Sequence, residues 1–254
     1  MRFFWTLLLS TSLLVSCQKS TEEPTSSELP QSIEILNGNP ISASEYPSVG
    51  LVKADKFICS GTLIASDIVL TANHCVEDDN GNLIPLKFTL DAKLASSNNW
   101  VNVTSVRRYS TRDMAILRLA QSYSTVEPTE VSMNSVTQTQ LNKTVEVVGY
   151  GNSQTSGSGS SATDVGAGTK RNGTSLLTGF SDSNYSLVSK RANNQIICPG
   201  DSGGPLFFSS EGRRLLFGVA NSVLWRGSCT TVSESYHSHV PYGLSKTWLL
   251  NFLS

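Results

Sequence analysis

Apolar residues in this chain come in short runs that alternate with polar ones and are cut by Gly, Asn, Asp or Ser, as in Leu51 to Leu70 and Leu215 to Ala220. That spacing suits strands, whose side chains alternate between two faces, while the three-to-four-residue spacing of an amphipathic helix is scarce. An all-β chain is therefore expected. Its 254 residues, 39% of them apolar, suffice for one domain with a substantial core or for a double barrel. No internal repeat is evident.

The densest chemistry lies in Cys198-Pro199-Gly200-Asp201-Ser202-Gly203-Gly204-Pro205-Leu206. Three glycines let the chain turn sharply, expose the Ser202 hydroxyl and aim backbone N–H groups at a substrate oxygen. Alone, this is also what a Gly-rich hairpin turn with an incidental serine looks like. A nucleophile needs a base, and the chain holds three histidines, His74, His237 and His239. His74 stands at the end of the apolar run Ile68-Val69-Leu70-Thr71, just before Cys75. Asp113 precedes Met114-Ala115-Ile116-Leu117-Arg118-Leu119, a strand-like run that carries a carboxylate inward. Taken singly, each has a plain reading as a core histidine or a strand-capping aspartate.

In the order His74, Asp113, Ser202, and with their flanking residues, the three resemble the chymotrypsin/trypsin family of serine proteases, peptidase family S1. Four motifs match in order: Ile35-Leu36-Asn37-Gly38 with Glu45-Tyr46-Pro47; Cys59-Ser60-Gly61-Thr62-Leu63-Ile64 running to His74-Cys75; Asp113 to Leu119; and Cys198 to Leu206. Val147-Val148-Gly149-Tyr150-Gly151 is a weaker fifth match. The resemblance covers Ile35 to about Leu253. It implies two six-stranded antiparallel Greek-key β-barrels with a short carboxy-terminal helix, Leu244 to Leu253, packing Trp248, Leu249 and Phe252 onto the second barrel.

For function, the resemblance implies a serine endopeptidase with His74, Asp113 and Ser202 as catalytic triad and the N–H groups of Gly200 and Ser202 as oxyanion hole. Protein or peptide substrates, no cofactor, no metal and a monomer follow from it. Disulfides Cys59–Cys75 and Cys198–Cys229 are implied by the family pattern; loops of about 17 and 32 residues would stabilise by roughly 3 to 4 kcal/mol each in the chain-entropy model. They require an oxidising compartment. Ile35 matches the family's mature amino terminus and Asp201 the aspartate that receives its ammonium group, as in a zymogen. Glu34, where a trypsin-activated zymogen has Lys or Arg, points away from trypsin-like activation. Ile196 falls on the floor of the specificity pocket, with Asn221 and Val223 on its wall. An apolar floor predicts apolar rather than Lys/Arg specificity, with Glu234 near the back of the pocket. Asn73 stands where the family usually has alanine, and a buried amide there needs hydrogen-bond partners. The competing reading is a catalytically silent, lipid-anchored binding protein on a protease fold.

The amino-terminal region has its own logic. Residues 1–16 place Arg2 before an apolar run from Phe3 to Val15, too short to span a bilayer and suited to an export signal. Leu14-Val15-Ser16-Cys17 resembles a bacterial lipobox, so Cys17, the fifth cysteine, is the expected lipidation site; ordinary signal cleavage with a free thiol is the alternative. Residues 17–34 read as a lipidated disordered tether or propeptide, rich in Ser, Thr, Glu and Pro, ahead of the protease domain at 35–254. The expected location is the bacterial cell envelope, anchored to the membrane through Cys17, with the outer membrane favoured by Gln18 and release following any cut near Ile35.

Formal net charge is −1 and no basic run is present, which argues against nucleic acid as a partner. Asp78-Asp79-Asn80-Gly81-Asn82 reads as a hairpin turn rather than a calcium loop. Asn152 to Gly168, rich in Ser, Gly and Thr, reads as a loop. The His237-x-His239 pair reads as surface strand polarity rather than a metal site.

Overall fold

The structure, a computed structural model, describes residues 35–156, 163–181, 185–210, 213–224, 228–242 and 244–253. The expected signal segment, Cys17 and the tether lie outside them. Fifteen strands follow one another: β1 (Asn39–Pro40), β2 (Val49–Lys53), β3 (Ile58–Ala65), β4 (Ile68–Thr71), β5 (Lys87–Thr89), β6 (Val101–Arg108), β7 (Ala115–Leu119) and β8 (Thr144–Gly149). Then come β9 (Gln154–Ser156), β10 (Thr163–Val165), β11 (Arg171–Ser181), β12 (Ser186–Arg191), β13 (Pro205–Ser210), β14 (Arg213–Leu224) and β15 (Glu234–His239). Among the described residues one α-helix, α1 (Leu244–Leu253), follows them.

Two closed six-stranded antiparallel barrels result. The first runs β2-β3-β4-β7-β6-β5 and closes through β5 on β2. The second runs β8-β11-β12-β15-β14-β13 and closes through β13 on β8, with β1 added beside β11. Both share one topology: three successive strands, then a fourth that returns beside the first, which is the Greek key. Closure leaves no free sheet edge in either barrel.

Alternation alone predicts one wet face per strand, yet β2, β3 and β4 are buried along nearly their whole length. Leu63, Val69, Phe88 and Leu117, on β3, β4, β5 and β7, share the face that fills the barrel and are all 0% exposed. The same apolar cluster runs on through Phe207, Leu216, Val219 and Val240, which belong to the second half of the chain. One continuous core therefore joins the barrels. A separate cluster of Val145, Val147, Leu177, Leu187, Leu206 and Phe217 fills the second barrel.

Three expectations need correction. The stretch 152–168 is not all loop, because β9 and β10 pair antiparallel within it. Helix α1 packs on the shared core rather than on the second barrel alone: Leu249 joins that cluster and the Trp248 ring sits 5.0 Å from Tyr109. His237 and His239 are not surface polarity; two residues apart on β15, they share its inward side and are both 0% exposed.

His237 Nε2 lies 3.1 Å from Ser189 Oγ and 3.2 Å from Ser235 Oγ, while Nδ1 has no hydrogen-bond partner. Burial pushes its pKa down to about 3, so it stays neutral in the folded state. The unfolded chain takes a proton near the ordinary histidine pKa of about 6.5, and the folded chain does not. Stability is therefore lost as pH falls from about 6.5 toward 3, at a limiting slope of about 1.4 kcal/mol per pH unit from this residue. Urea unfolding of wild type and His237→Gln across this window should show a shallower acid decline in the variant; parallel curves would contradict the assignment.

Candidate active site

His74 is carried at the end of β4 by a single 3-10 turn, Asn73–Cys75. The Cys59–Cys75 disulfide ties that turn to β3, with Cα atoms 6.1 Å apart. Asp113 closes the tight connection between β6 and β7. Its Oδ1 accepts the His74 backbone N–H at 2.9 Å, and its Oδ2 lies 2.7 Å from His74 Nδ1. With Nδ1–H donating to the carboxylate, Nε2 is left with its lone pair directed away from Asp113, the tautomer a general base requires. The Asp113 side chain is 19% exposed and that of His74 44%, so the carboxylate is less deeply buried than its strand suggested.

The Cys198–Leu206 stretch turns as its glycines predict. Gly200 has φ 97° and Gly203 φ 80°, both in the left-handed region. A Cβ on Gly203 would lie 2.1 Å from Thr71 Oγ1 and 2.3 Å from the Ser60 carbonyl oxygen. The turn that carries Ser202 is thus pressed against the end of β4, three residues ahead of His74. Ser202 is half-buried. Its hydroxyl makes no hydrogen bond to protein among the described residues, so its meeting with Nε2 belongs to the proposed mechanism.

Hydrogen bonds orient the donors of this turn. Asn152 N–H donates to the Pro199 carbonyl at 2.8 Å, and because a trans peptide points its N–H opposite its C=O, this aims the Gly200 N–H away from Asn152. Gly204 N–H donates to the Asp201 carbonyl at 2.9 Å, which turns the Ser202 N–H outward in the same way. Among the described residues neither the Gly200 N–H nor the Ser202 N–H donates to another protein group. Two donors beside one hydroxyl are free to hold an oxyanion. Asp201, 0% exposed, anchors the turn from below, its Oδ1 accepting Gly151 N–H and its Oδ2 accepting Cys198 N–H, each at 2.8 Å.

Ser60, whose role no local pattern reveals, is a junction. Its N–H donates to the Ser202 carbonyl at 2.8 Å, and its carbonyl accepts from Thr71 Oγ1 at 2.8 Å. Its Oγ donates to the Gly200 carbonyl at 3.3 Å and accepts Tyr150 N–H at 3.0 Å. Ser238 on β15 is a second such residue, its Oγ donating to the Asp113 carbonyl at 3.0 Å. Neither role leaves a local pattern in sequence, since every partner is distant along the chain.

The remaining expected residues fall as follows. Ile35 is 0% exposed and packs with Val147, Leu177 and Ile197. Ile196 is 0% exposed beneath Leu36, Cys198, Cys229 and Val232, with half-buried Val223 against the same group. Asn221 is half-buried on β14, and residues 225–227 of the pocket wall lie outside the described residues. Glu234 pairs with the half-exposed Lys190 at 3.2 Å. Cys198 and Cys229 are bonded, their Cα atoms 5.6 Å apart. The Asn73 amide is half satisfied: Nδ2 donates to Glu77 Oε1 at 3.2 Å, and the buried Oδ1 has no hydrogen-bond partner. The donor atoms of Cys59, His74 and Cys75 lie within 4.8 Å of one another, but with both sulfurs in the disulfide neither is a thiolate ligand. A cavity of about 720 Å³ opens beside the His74–Asp113 pair, lined by Asn73, Glu77, Arg108, Tyr109, Ser110, Thr111 and Arg112.

Two Greek-key barrels present here a carboxylate-bound histidine and a glycine-flanked serine, the kinds of group that acyl-transfer hydrolysis uses. The chain belongs to the trypsin family: the family model described as Trypsin matches residues 35–243. It is 29% identical to "Serine protease SP24D" of Anopheles gambiae, over 83% of this chain and 78% of the relative. It is 26% identical to "Trypsin-like protease" of Streptomyces glaucescens, over 82% of this chain and 78% of the relative. A solved structure of HL collagenase superposes with a TM-score of 0.68 at 19% identity, covering 86% of this chain and 98% of that one, and it shows the shared fold. The chain is accordingly a serine-type endopeptidase with protein or peptide substrates, and its two disulfides fit an extracellular protein.

Proposed function

We propose that the chain hydrolyses peptide bonds through Ser202, His74 and Asp113. Ser202 Oγ attacks the scissile carbonyl while His74 Nε2 takes its proton. Asp113 holds the Nδ1–H tautomer and stabilises the imidazolium that forms. The developing oxyanion is received by the Gly200 and Ser202 N–H groups, each worth roughly 3 to 4 kcal/mol in such sites. Collapse expels the amine with the proton from His74 and leaves an acyl-serine, which water hydrolyses by the reverse sequence. The observation that carries this reading is the pair of unspent N–H groups beside a hydroxyl, on a turn pressed against the end of the strand that leads into His74.

An apolar primary specificity follows from Ile196 and Val223, with Asn221 beside them and no carboxylate at the floor position. An Ile35 ammonium, freed by a cut after Glu34, would act on Asp201 and stabilise the turn further. Lipid attachment at Cys17 would hold the monomeric enzyme on the cell envelope, and the same cut would release it, since no cysteine between 17 and 34 joins the two pieces.

Assayed on a peptide library, Ser202→Ala should fold as wild type and lose at least about 10⁴-fold in kcat/KM, with wild-type cleavage after apolar residues. Retained hydrolysis in the variant would contradict the nucleophile, and cleavage after Lys or Arg would contradict the pocket. Cys17→Ser should move the protein from the membrane to the soluble fraction of producing bacteria; unchanged partition would contradict the anchor.

A further inference from the structure

We propose that Arg112 is a positioning residue for Asp113, holding the acid of the triad against the second barrel through a stack of tyrosine rings; this rests on reading His74, Asp113 and Ser202 as a triad.

Asp113 sits in a hairpin connection of few residues. Tyr109 N–H donates to the Met114 carbonyl at 2.9 Å, and Met114 N–H to the Arg112 carbonyl at 2.8 Å. The hydrogen bonds to its carboxylate come from His74, the group it must orient, so its own placement has to come from elsewhere. One tie is the Ser238 hydroxyl on the Asp113 carbonyl. The other is the neighbouring side chain. The Arg112 guanidinium carbon lies 3.7 Å from the centre of the Tyr185 ring, with Tyr109 at 5.8 Å and Tyr242 at 6.0 Å.

Tyr185 precedes β12 and Tyr242 follows β15, so the stack crosses from one barrel to the other. The two rings meet edge to face at 5.6 Å, and the Tyr185 carbonyl accepts His239 N–H at 2.9 Å. Arg112 Nε and one terminal nitrogen are buried with no hydrogen-bond acceptor. An arginine with a free choice keeps those nitrogens in water. Here the ring faces supply the compensating attraction, and the planar guanidinium fits them as a lysine ammonium does not. The cation is thereby fixed one residue from the acid, where an error of about an ångström in the base is costly to catalysis.

The charged and titratable groups facing Arg112 are His74 and Asp113 on its own side and Glu77 and Arg108 across the cavity, the last two paired with each other. On the aromatic side stand Tyr109, Tyr185 and Tyr242, with His239 stacked on Tyr242.

The test compares kcat and KM for wild type, Arg112→Leu, Arg112→Lys, Tyr185→Leu and Tyr185→Phe. Arg112→Leu should lower kcat about tenfold with KM within twofold. Arg112→Lys, which keeps the charge but not the plane that fits the rings, should recover only part of that loss. Tyr185→Leu should lower kcat in the same way, and Tyr185→Phe, which keeps the ring face, should match wild type. Should Arg112→Leu not fold, the two Tyr185 variants decide. Unchanged kcat overturns the proposal, as does a rise in KM alone, which would make Arg112 a substrate contact. A wild type that hydrolyses no peptide overturns the triad reading itself, whereas active wild type with indifferent variants overturns this proposal alone.

Discussion

The attachment of the Ser202 turn to strand β3 is the constraint on which the rest of the site depends. A single buried serine, Ser60, serves four partners across this contact: the Ser202 and Gly200 carbonyls, the Tyr150 N–H and the Thr71 hydroxyl. Each bond alone contributes only about 1 kcal/mol net, but leaving any of these buried groups unpaired costs about 1 to 3 kcal/mol. The network is therefore specific more than it is strong. It fixes the turn relative to β4, and β4 carries His74.

Around that contact the two barrels divide the chemistry. The first supplies His74 and Asp113 from the end of one strand and the start of another. The second supplies the Ser202 turn, whose carboxylate anchor Asp201 is held by N–H groups of Gly151 and Cys198. Because each part sits where a strand ends, the strands can be packed on both faces while the reactive groups stay at the surface between barrels. The continuous core from Val49 to Val240 makes the relation between the halves rigid, and the ties from Ser238 and Arg112 reinforce it at Asp113.

What was legible in the sequence was whatever chemistry writes locally. Gly200 and Gly203 mark a sharp turn and the apolar run after Asp113 marks its strand, whereas the two disulfides followed only from the family resemblance. What was not legible depends on contacts between distant segments. His237 and His239 carry no mark that distinguishes an inward strand face from an outward one, because polar side chains on β15 are buried only by the closure of the second barrel. The β9–β10 pair forms in a stretch of Ser, Gly and Thr that has no apolar alternation to reveal it. The helix around Trp248 reads as packing on the second barrel, and only contacts with residues far away in sequence, such as the ring of Tyr109, bring α1 to the shared core. Asn73 carries a side-chain amide that needs partners, and the fold supplies one for its Nδ2 and none for its buried Oδ1.

The central claim is that Ser202 is an activated nucleophile, and reaction with a fluorophosphonate followed by mass spectrometry of the adduct tests it most directly. The account predicts a single adduct on Ser202 in the folded domain beginning at Ile35, lost when His74 is replaced by alanine. A folded domain that forms no adduct, or one that carries it on another residue, would contradict the account.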